Sequence, residues 1–478
     1  MSSDRPVNSG PRQRRPWAVI LLTVLALVLL CCLGASLLAN VGLGVWAAMA
    51  QWQLVRQQER VAALEARVQQ LLEVLQENGI DVPLSPADEQ LMDTVQTQVM
   101  TLRGLPLLQP VERRVMSRQM LYQEYLRMFE EDWSPAEARD YALTLFAFDL
   151  LDDSEIDLYD LLLRLYTEQV AGYYDPERAQ MVVISDSGEM GALQRLVYAH
   201  EFNHALQDQH FDLEALGIRP DADDEFDSEY LTAVRALIEG DSSLLERQFL
   251  GAYYTPQDLA ELMLEAGAVD STVLDAAPPV VRAHMMFPYD YGLTFVEALY
   301  AEGGWAAVDA AYASPPRSTE QILHPQRYRS GDMPQLVSLP PLTDTLGVGW
   351  QQIDSDIMGE FFLRLYLARW IDEDEAAQAA EGWGGDRYAV HYRQTDAAFA
   401  MAVHTVWDTP ADAEEFVDAA VNYGTARFGG AGELADGRLC WTGAGETLCL
   451  AWGPADVTFV LGPDRPTVDA VMGVVTLP

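Results

Sequence analysis

The sequence predicts an α+β protein with an N-terminal transmembrane helix and coiled-coil stalk, a mainly helical domain with a small sheet, and a C-terminal α+β domain. Three observations lead to this prediction. A long apolar run follows a group of arginines at the N-terminus. Apolar residues recur at helical spacings of three and four within residues 95–170. After residue 353, segments with helical and strand-like patterns alternate.

The composition narrows the classes of function. The chain has 478 residues, 49% of them hydrophobic, which suffices for more than one core because single cores stop growing at roughly 250 to 300 residues. The formal net charge of −43 opposes lasting contact with phosphate backbones, so no nucleic-acid partner is expected. All 30 basic residues are arginine, which excludes chemistry that depends on a lysine Schiff base or a P-loop lysine.

Residues 1–16 contain several arginines and precede an apolar run at residues 17–40. The run is longer than the roughly 7 to 15 apolar residues of a cleaved signal peptide, and it suffices to cross a bilayer, which needs about 20. Arginines before a span keep that end in the cytoplasm. The prediction is a single-pass protein of the cell membrane with a cytoplasmic tail and extracytoplasmic C-terminal domains.

Residues 41–79 are predicted to form a coiled-coil stalk. Apolar residues recur there in a heptad register at Leu54, Val61, Leu64, Val68, Leu71 and Leu75. This register favours a homodimer, and the alternative is a single amphipathic helix that packs on the rest of the protein. Gly79 ends the helix, and residues 80–94 are a linker.

The helical domain is assigned to residues 95–330, a proline-rich linker to 331–352, and the C-terminal α+β domain to 353–478. In the last of these, a hairpin about residues 444–445 sets Cys440 opposite Cys449. This register predicts a cross-strand disulfide rather than two free buried thiols, in agreement with an extracytoplasmic location.

The segment "LVYAHEFNHALQDQHFDLE" contains the pattern H-E-x-x-H at His200, Glu201 and His204. Residues four apart are neighbours on a helix, so the two imidazoles can converge on one Zn²⁺ ion, with Glu201 beside it to take a proton from the attacking water. The alternative is a core helix with satisfied histidines. It is disfavoured because each buried polar group would need its own partner.

A catalytic zinc usually has a third protein ligand. His210 has the spacing of a third histidine ligand, but Gln207 stands where a glycine would let the chain turn back, and a straight helix carries His210 roughly 15 Å beyond His200. Glu239, in the helical segment "ALIEGD", is the preferred third ligand. The remaining alternatives are Asp227, Glu229 and Asp241.

"AHEFNHALQDQHFDL" followed by "ALIEGD" resembles the zincin metallopeptidases of the gluzincin, or thermolysin-like, type. The resemblance implies a zincin-like fold for residues 95–330, Zn²⁺ held by His200, His204 and Glu239, and Glu201 as the general base. It also implies a peptide or protein substrate that pairs with the strand at residues 181–184.

The resemblance suggests further site residues. His324 could donate a hydrogen bond to the oxyanion, with Tyr289 and Tyr291 as weaker candidates. Asp208 could orient a histidine or be a solvated carboxylate. In this family an aspartate often stands four residues after the ligand glutamate, whereas this chain has Ser243 at that position.

The sequence therefore predicts a membrane-anchored zinc metallopeptidase that hydrolyses peptide bonds with a metal-activated water. The main alternative is an envelope scaffold or binding protein in which the zincin fold is not catalytic. Glu201 favours the enzyme, because a purely structural metal site has no use for a general base. Accidental spacing without a metal is a third possibility.

Overall fold

A computed structural model describes residues 85–185, 190–219, 226–443 and 445–475, together with positions 60 and 67. The predicted tail at 1–16, the apolar run at 17–40 and, apart from those two positions, the stalk at 41–79 lie outside the described residues. The coiled coil and its homodimer stay predictions.

The predicted fold class needs correction. None of the helices in the described part of the chain is both long enough and apolar enough to cross a membrane. The two longest, α6 (Ser228–Tyr253) and α9 (Pro279–Gly303), carry charged residues along their length. The prediction of a transmembrane helix in a single-pass membrane protein is therefore not supported by the part of the chain that the structure describes, and the predicted run at 17–40 lies outside it. The described residues form a mainly helical fold, with 57% of them in helices and 17% in strands.

Helices dominate the region before residue 331, and the region after it combines a sheet with helices. The first region contains α1 (Pro86–Arg103), β1 (Glu112–Met116), α2 (Arg118–Asp132), α3 (Pro135–Ala147), α4 (Leu158–Gln169), β2 (Gly172–Asp175), β3 (Gln180–Ile184), α5 (Ala192–Phe211), α6, α7 (Pro256–Ala266), α8 (Thr272–Ala276), α9, α10 (Trp305–Ala313), α11 (Thr319–Leu323) and α12 (Pro325–Ser330). The second contains α13 (Thr343–Leu346), β4 (Trp350–Asp354), α14 (Gly359–Ala368), α15 (Glu373–Ala380), β5 (Trp383–Arg393), β6 (Ala398–Trp407), α16 (Pro410–Phe428), β7 (Glu433–Ala435), β8 (Arg438–Gly443), β9 (Glu446–Trp452), β10 (Asp456–Gly462) and α17 (Arg465–Val475).

The first region contains a three-stranded sheet in the order β1-β3-β2. The predicted hairpin is confirmed as the antiparallel pair of β2 and β3, while β1 pairs with β3 in parallel. The prediction that residues 95–170 are helical missed β1. Strand β3 alternates in the usual way, because Met181 and Val183 face the core formed with α1 and α5 whereas Val182 and Ile184 pack on the opposite side.

The second region is built on a seven-stranded antiparallel sheet in the order β4-β5-β6-β10-β9-β8-β7. Cys440 pairs with Cys449 across β8 and β9, and the predicted disulfide is confirmed. One face of the sheet shares a hydrophobic core with α3 and α4, to which Leu145, Leu165 and Phe459 belong. The two regions therefore pack together through apolar side chains.

Candidate metal centre

Two helices carry the predicted metal ligands. Helix α5 begins after Gly191, whose N–H donates to the side chain of Gln194, and ends at Asp212 in a left-handed conformation. Helix α6 begins after Asp227, whose carboxylate accepts a hydrogen bond from the N–H of Tyr230. Both helices pack in the core, and their polar faces meet each other.

The polar contact between α5 and α6 is fully buried. Asn203 donates to Asp241 at 3.1 Å and to Ser242 at 3.0 Å, and Gln207 donates to the carbonyl of Ile238 at 3.0 Å. Asn203 directly precedes His204 in the chain. These bonds therefore fix the rotation of α5 against α6 at the level of the histidines.

This packing brings His200, His204 and Glu239 together. The Oε2 atom of Glu239 lies 3.2 Å from Nε2 of His200 and 3.5 Å from Nε2 of His204. One donor atom from each residue lies within 4.8 Å of the other two. The side chains of both histidines are 12% exposed and that of Glu239 is 22% exposed, so all three are mostly but not completely buried.

The outer nitrogen of each imidazole has its own partner. Nδ1 of His200 lies 3.3 Å from a carboxylate oxygen of Glu246, and Nδ1 of His204 lies 2.7 Å from the side-chain oxygen of Gln207. A hydrogen bond at Nδ1 fixes the proton there and leaves the Nε2 lone pair to a metal. This is the arrangement expected around a zinc ion.

Glu246 and Gln207 were not among the site residues predicted from the sequence. Glu246 follows Glu239 by seven residues, two turns along the same face of α6, so helical periodicity offered a signal. It places a carboxylate beside His200, which Ser243 cannot do.

The pKa shifts of the triad arise from the attraction between its imidazoles and its carboxylate. Burial alone would lower the pKa of His200, but hydrogen bonds to Glu239 and Glu246 raise it well above its usual value. Burial alone would raise the pKa of Glu239, but the charge of His204 and hydrogen bonds to both histidines lower it. Two imidazoles and a carboxylate with a convergent set of donor atoms fit Zn²⁺, whose ligands are nitrogen, oxygen and sulfur.

Glu201 lies on α5 beside the triad. Burial raises the pKa of its carboxyl group, while the nearby imidazoles and a hydrogen bond from the backbone of Tyr174 oppose this effect. Strand β2 approaches closely here, since a Cβ atom on Gly172 would lie 2.7 Å from a methyl carbon of Val197 and 2.8 Å from the carbonyl oxygen of Val182. A side chain at Gly172 would push β2 away from Glu201.

The triad opens on a cavity of about 620 Å³, which we call the metal-site cavity. His200, Glu201 and Glu239 line it, as does Tyr289 of α9, whose ring centroid lies 6.4 Å from that of His200. Tyr291 instead packs on Phe287 and Phe361. Of the two candidate tyrosines, Tyr289 is the one at the site.

The structure does not bring His324 to the metal-site cavity, and its predicted catalytic role needs correction. Its Nε2 atom lies 2.9 Å from a carboxylate oxygen of Glu360 and 3.1 Å from the guanidinium of Arg364. The side chain is thus engaged by α14 and does not line the cavity. We assign no oxyanion contact to His324.

The other candidates have different partners. Nε2 of His210 lies 2.8 Å from the carbonyl oxygen of Pro106, and Asp208 accepts a hydrogen bond from the Tyr174 hydroxyl at 2.8 Å rather than orienting a histidine. The alternative third ligands are engaged elsewhere: Asp241 with Arg103, Glu229 with Thr319, and Asp227 with the N-terminus of α6. Glu239 is therefore the carboxylate that meets the two histidines.

The predicted substrate-binding strand also needs correction. Residues 181–184 belong to β3, which pairs with β1 on one side and β2 on the other, so it has no free edge for a peptide. The outer strand on the side of the cavity is β2, and Ala171 and Gly172 line the cavity.

Comparison with known proteins matches part of the second region to a family. Residues 346–472 match the model of a domain of unknown function, DUF8575. The match covers the second region and does not include the residues of the metal centre. Neither the search of curated proteins nor the search of solved structures gives a match.

Proposed function

We propose that the protein is a zinc-dependent metallopeptidase. The convergence of His200, His204 and Glu239, two of which line the metal-site cavity, carries this proposal. Structural zinc sites are usually closed by four protein ligands, whereas catalytic sites have three and leave a position open. Three donors beside a cavity of about 620 Å³ support the catalytic class.

The residues around the triad have separate tasks in this proposal. Bound by the three ligands, Zn²⁺ would act as a Lewis acid that acidifies a water molecule and polarises the substrate carbonyl. Glu201 takes the proton of the attacking water and transfers it to the leaving amine, which returns its carboxylate to the ionised state. Glu246 and Gln207 hold the imidazoles in the orientation that points Nε2 at Glu239.

Two further groups would contact the substrate. The hydroxyl of Tyr289 can donate a hydrogen bond to the oxygen on which negative charge develops. The outer edge of β2, beginning at Gly172, can pair with an extended peptide backbone. A peptide held along β2 passes Glu201, because Gly172 and Glu201 line the same cavity.

The experiment uses the full chain, loaded with zinc and assayed for metal content and for hydrolysis of a mixture of synthetic peptides. Glu201→Gln should retain zinc and the fold but lose about 10²- to 10⁴-fold in activity, the usual contribution of a general base. Glu239→Ala should lose zinc, and His210→Ala, the matched control, should keep it.

Undiminished activity of Glu201→Gln, or loss of zinc only in the His210→Ala variant, would refute the assignment. The non-catalytic scaffold makes the opposite prediction for Glu201→Gln, since a scaffold has no step that requires a base.

A further inference from the structure

Arg235 lies one helical turn before the ligand Glu239 on α6. Residues four apart share one face of a helix and are displaced by about 6 Å along its axis. Both side chains line the metal-site cavity. A cationic group therefore faces the same space as the metal ligands.

The guanidinium of Arg235 is exposed and forms no hydrogen bond or ion pair with any other residue that the structure describes. This is unexpected in a chain with a net charge of −43, where carboxylates are abundant. The carboxylates of the same cavity are engaged elsewhere, because Glu239 and Glu246 contact imidazoles and Glu201 accepts a bond from the Tyr174 backbone. The hydrogen-bond donors of Arg235 are therefore available to a ligand.

His284 of α9 faces the same space. Its Nδ1 atom is buried without a hydrogen-bond partner among the described residues, so an N–H at that position would be unsatisfied. The proton of the neutral ring therefore favours Nε2, which makes Nε2 a hydrogen-bond donor. Burial and the nearby charge of Arg235 lower the pKa of His284 to about 4, so the ring is neutral at pH 7.

Arg235 and His284 stand where two cavities meet. Both residues line the metal-site cavity and also a neighbouring cavity of about 450 Å³. The neighbouring cavity is also lined by Glu137, Asp140 and Asp354, carboxylates that the metal-site cavity does not share and that disfavour an anion deeper in the neighbouring cavity. An anionic group of a ligand is thus retained at the junction.

We propose that Arg235 and His284 bind a carboxylate of the substrate, one to three residues from the bond that is cleaved. This inference rests on the proposed peptidase function. A planar guanidinium binds carboxylates through two parallel hydrogen bonds, and the imidazole adds one more donor. Arg235 and Glu239 are displaced by about 6 Å along α6, and an extended peptide advances about 3.3 to 3.6 Å per residue. The carboxylate should therefore lie one to three residues from the scissile bond.

The experiment compares matched peptides with the zinc-loaded full chain. A peptide that the wild type cleaves is found in a mixture of synthetic peptides by mass spectrometry. It is then resynthesised with glutamate, glutamine or lysine at each position within three residues of the scissile bond, and with a free or an amidated C-terminus. The ratio of kcat/KM for each acid to that for its amide is the measured quantity.

The wild type should prefer the acid by about 10- to 100-fold at one position, as expected for a charge-assisted hydrogen-bonded pair. Arg235→Gln should reduce that ratio to near one with its zinc content unchanged, and Arg235→Glu should favour lysine there. Arg282→Gln is the matched control, because Arg282 also forms no ion pair among the described residues and does not line either cavity. It should keep the wild-type ratio.

The set of peptides distinguishes the two possible sources of the carboxylate, an acidic side chain and the C-terminus. A preference that follows glutamate identifies an acidic side chain, and one that follows the free C-terminus identifies the terminal carboxylate. A wild-type ratio near one, or one that survives Arg235→Gln, overturns the inference while leaving the peptidase intact. If the zinc-loaded wild type cleaves no peptide, the inference and the proposed function fail together.

Discussion

The ion pair between Arg103 and Asp241 links α1 to the helix that carries Glu239. Nε and Nη2 of Arg103 each lie 2.9 Å from one carboxylate oxygen of Asp241, and both side chains are fully buried. Asp241 also accepts hydrogen bonds from Asn203 and from the hydroxyl of Tyr312. The pair is therefore part of the buried contact that sets α5 against α6.

Replacing Arg103 by methionine retains much of the volume but leaves the charge of Asp241 buried without its counterion. Breaking a buried pair in this way costs about 3–5 kcal/mol of unfolding free energy. Because Asn203 and Tyr312 still donate to Asp241, we expect a loss toward the lower end of that range. The zinc dissociation constant should rise as well, by about 10- to 100-fold if the pair supports the ligand helices as outer-shell residues do.

The assay is urea unfolding followed by circular dichroism, in a chelating buffer so that bound metal does not contribute. Asp241→Asn and the double variant complete a thermodynamic cycle, and the coupling energy of a contacting pair is about 0.5–3 kcal/mol. Arg113→Met is the control, because its partner Asp93 is 65% exposed and a surface pair contributes about 0–1 kcal/mol. A cost below about 1 kcal/mol for Arg103→Met, or strictly additive single variants, would refute the reasoning.

Three further predictions concern other parts of the molecule. Glu246→Gln should raise the zinc dissociation constant about 10- to 100-fold in a competition titration, whereas the surface variant Glu261→Gln should not change it. His284 has a pKa of about 4 when folded against 6.5 when unfolded, so the unfolded state binds the extra proton and stability rises with pH across this window. His284→Gln should flatten the pH dependence by up to about 1.4 kcal/mol per pH unit, and an unchanged slope would contradict it. Replacing Cys440 and Cys449 by alanine should cost about 2–3 kcal/mol, and wild type under reducing conditions should match the variant.

The residue pairs that the sequence predicted to be neighbours, and that are neighbours in the structure, are those with a local rule. The spacing of His200 and His204 converges on a helix whatever surrounds it. The register of Cys440 and Cys449 follows from a tight turn and the two-residue period of strands. In each case a few consecutive residues determine the geometry.

The features that could not be predicted from the sequence depend on packing between distant segments. Glu246 reaches His200 only because α5 and α6 have a particular rotation, which a contact spanning 138 residues between Arg103 and Asp241 helps to set. The order of a sheet is likewise non-local, and β1 takes the edge of β3 that a substrate would need. His324 was assigned by residue type without a spacing rule, and its side chain pairs with Glu360 instead.

The shape of the metal-site cavity is determined by backbone packing as much as by the ligands. Helix α9 supplies Tyr289 and His284 to the cavity, and it crosses α6 at a pair of glycines. A Cβ atom on Gly240 would collide with the carbonyl of Gly292, and one on Gly292 would collide with the carbonyl of Ala236. Because Gly240 directly follows Glu239, this crossing holds α9 against the turn of α6 that carries the metal ligand. Two glycines at the crossing therefore set the distance from Glu239 to the groups of α9 that are proposed to bind substrate, Tyr289 and His284.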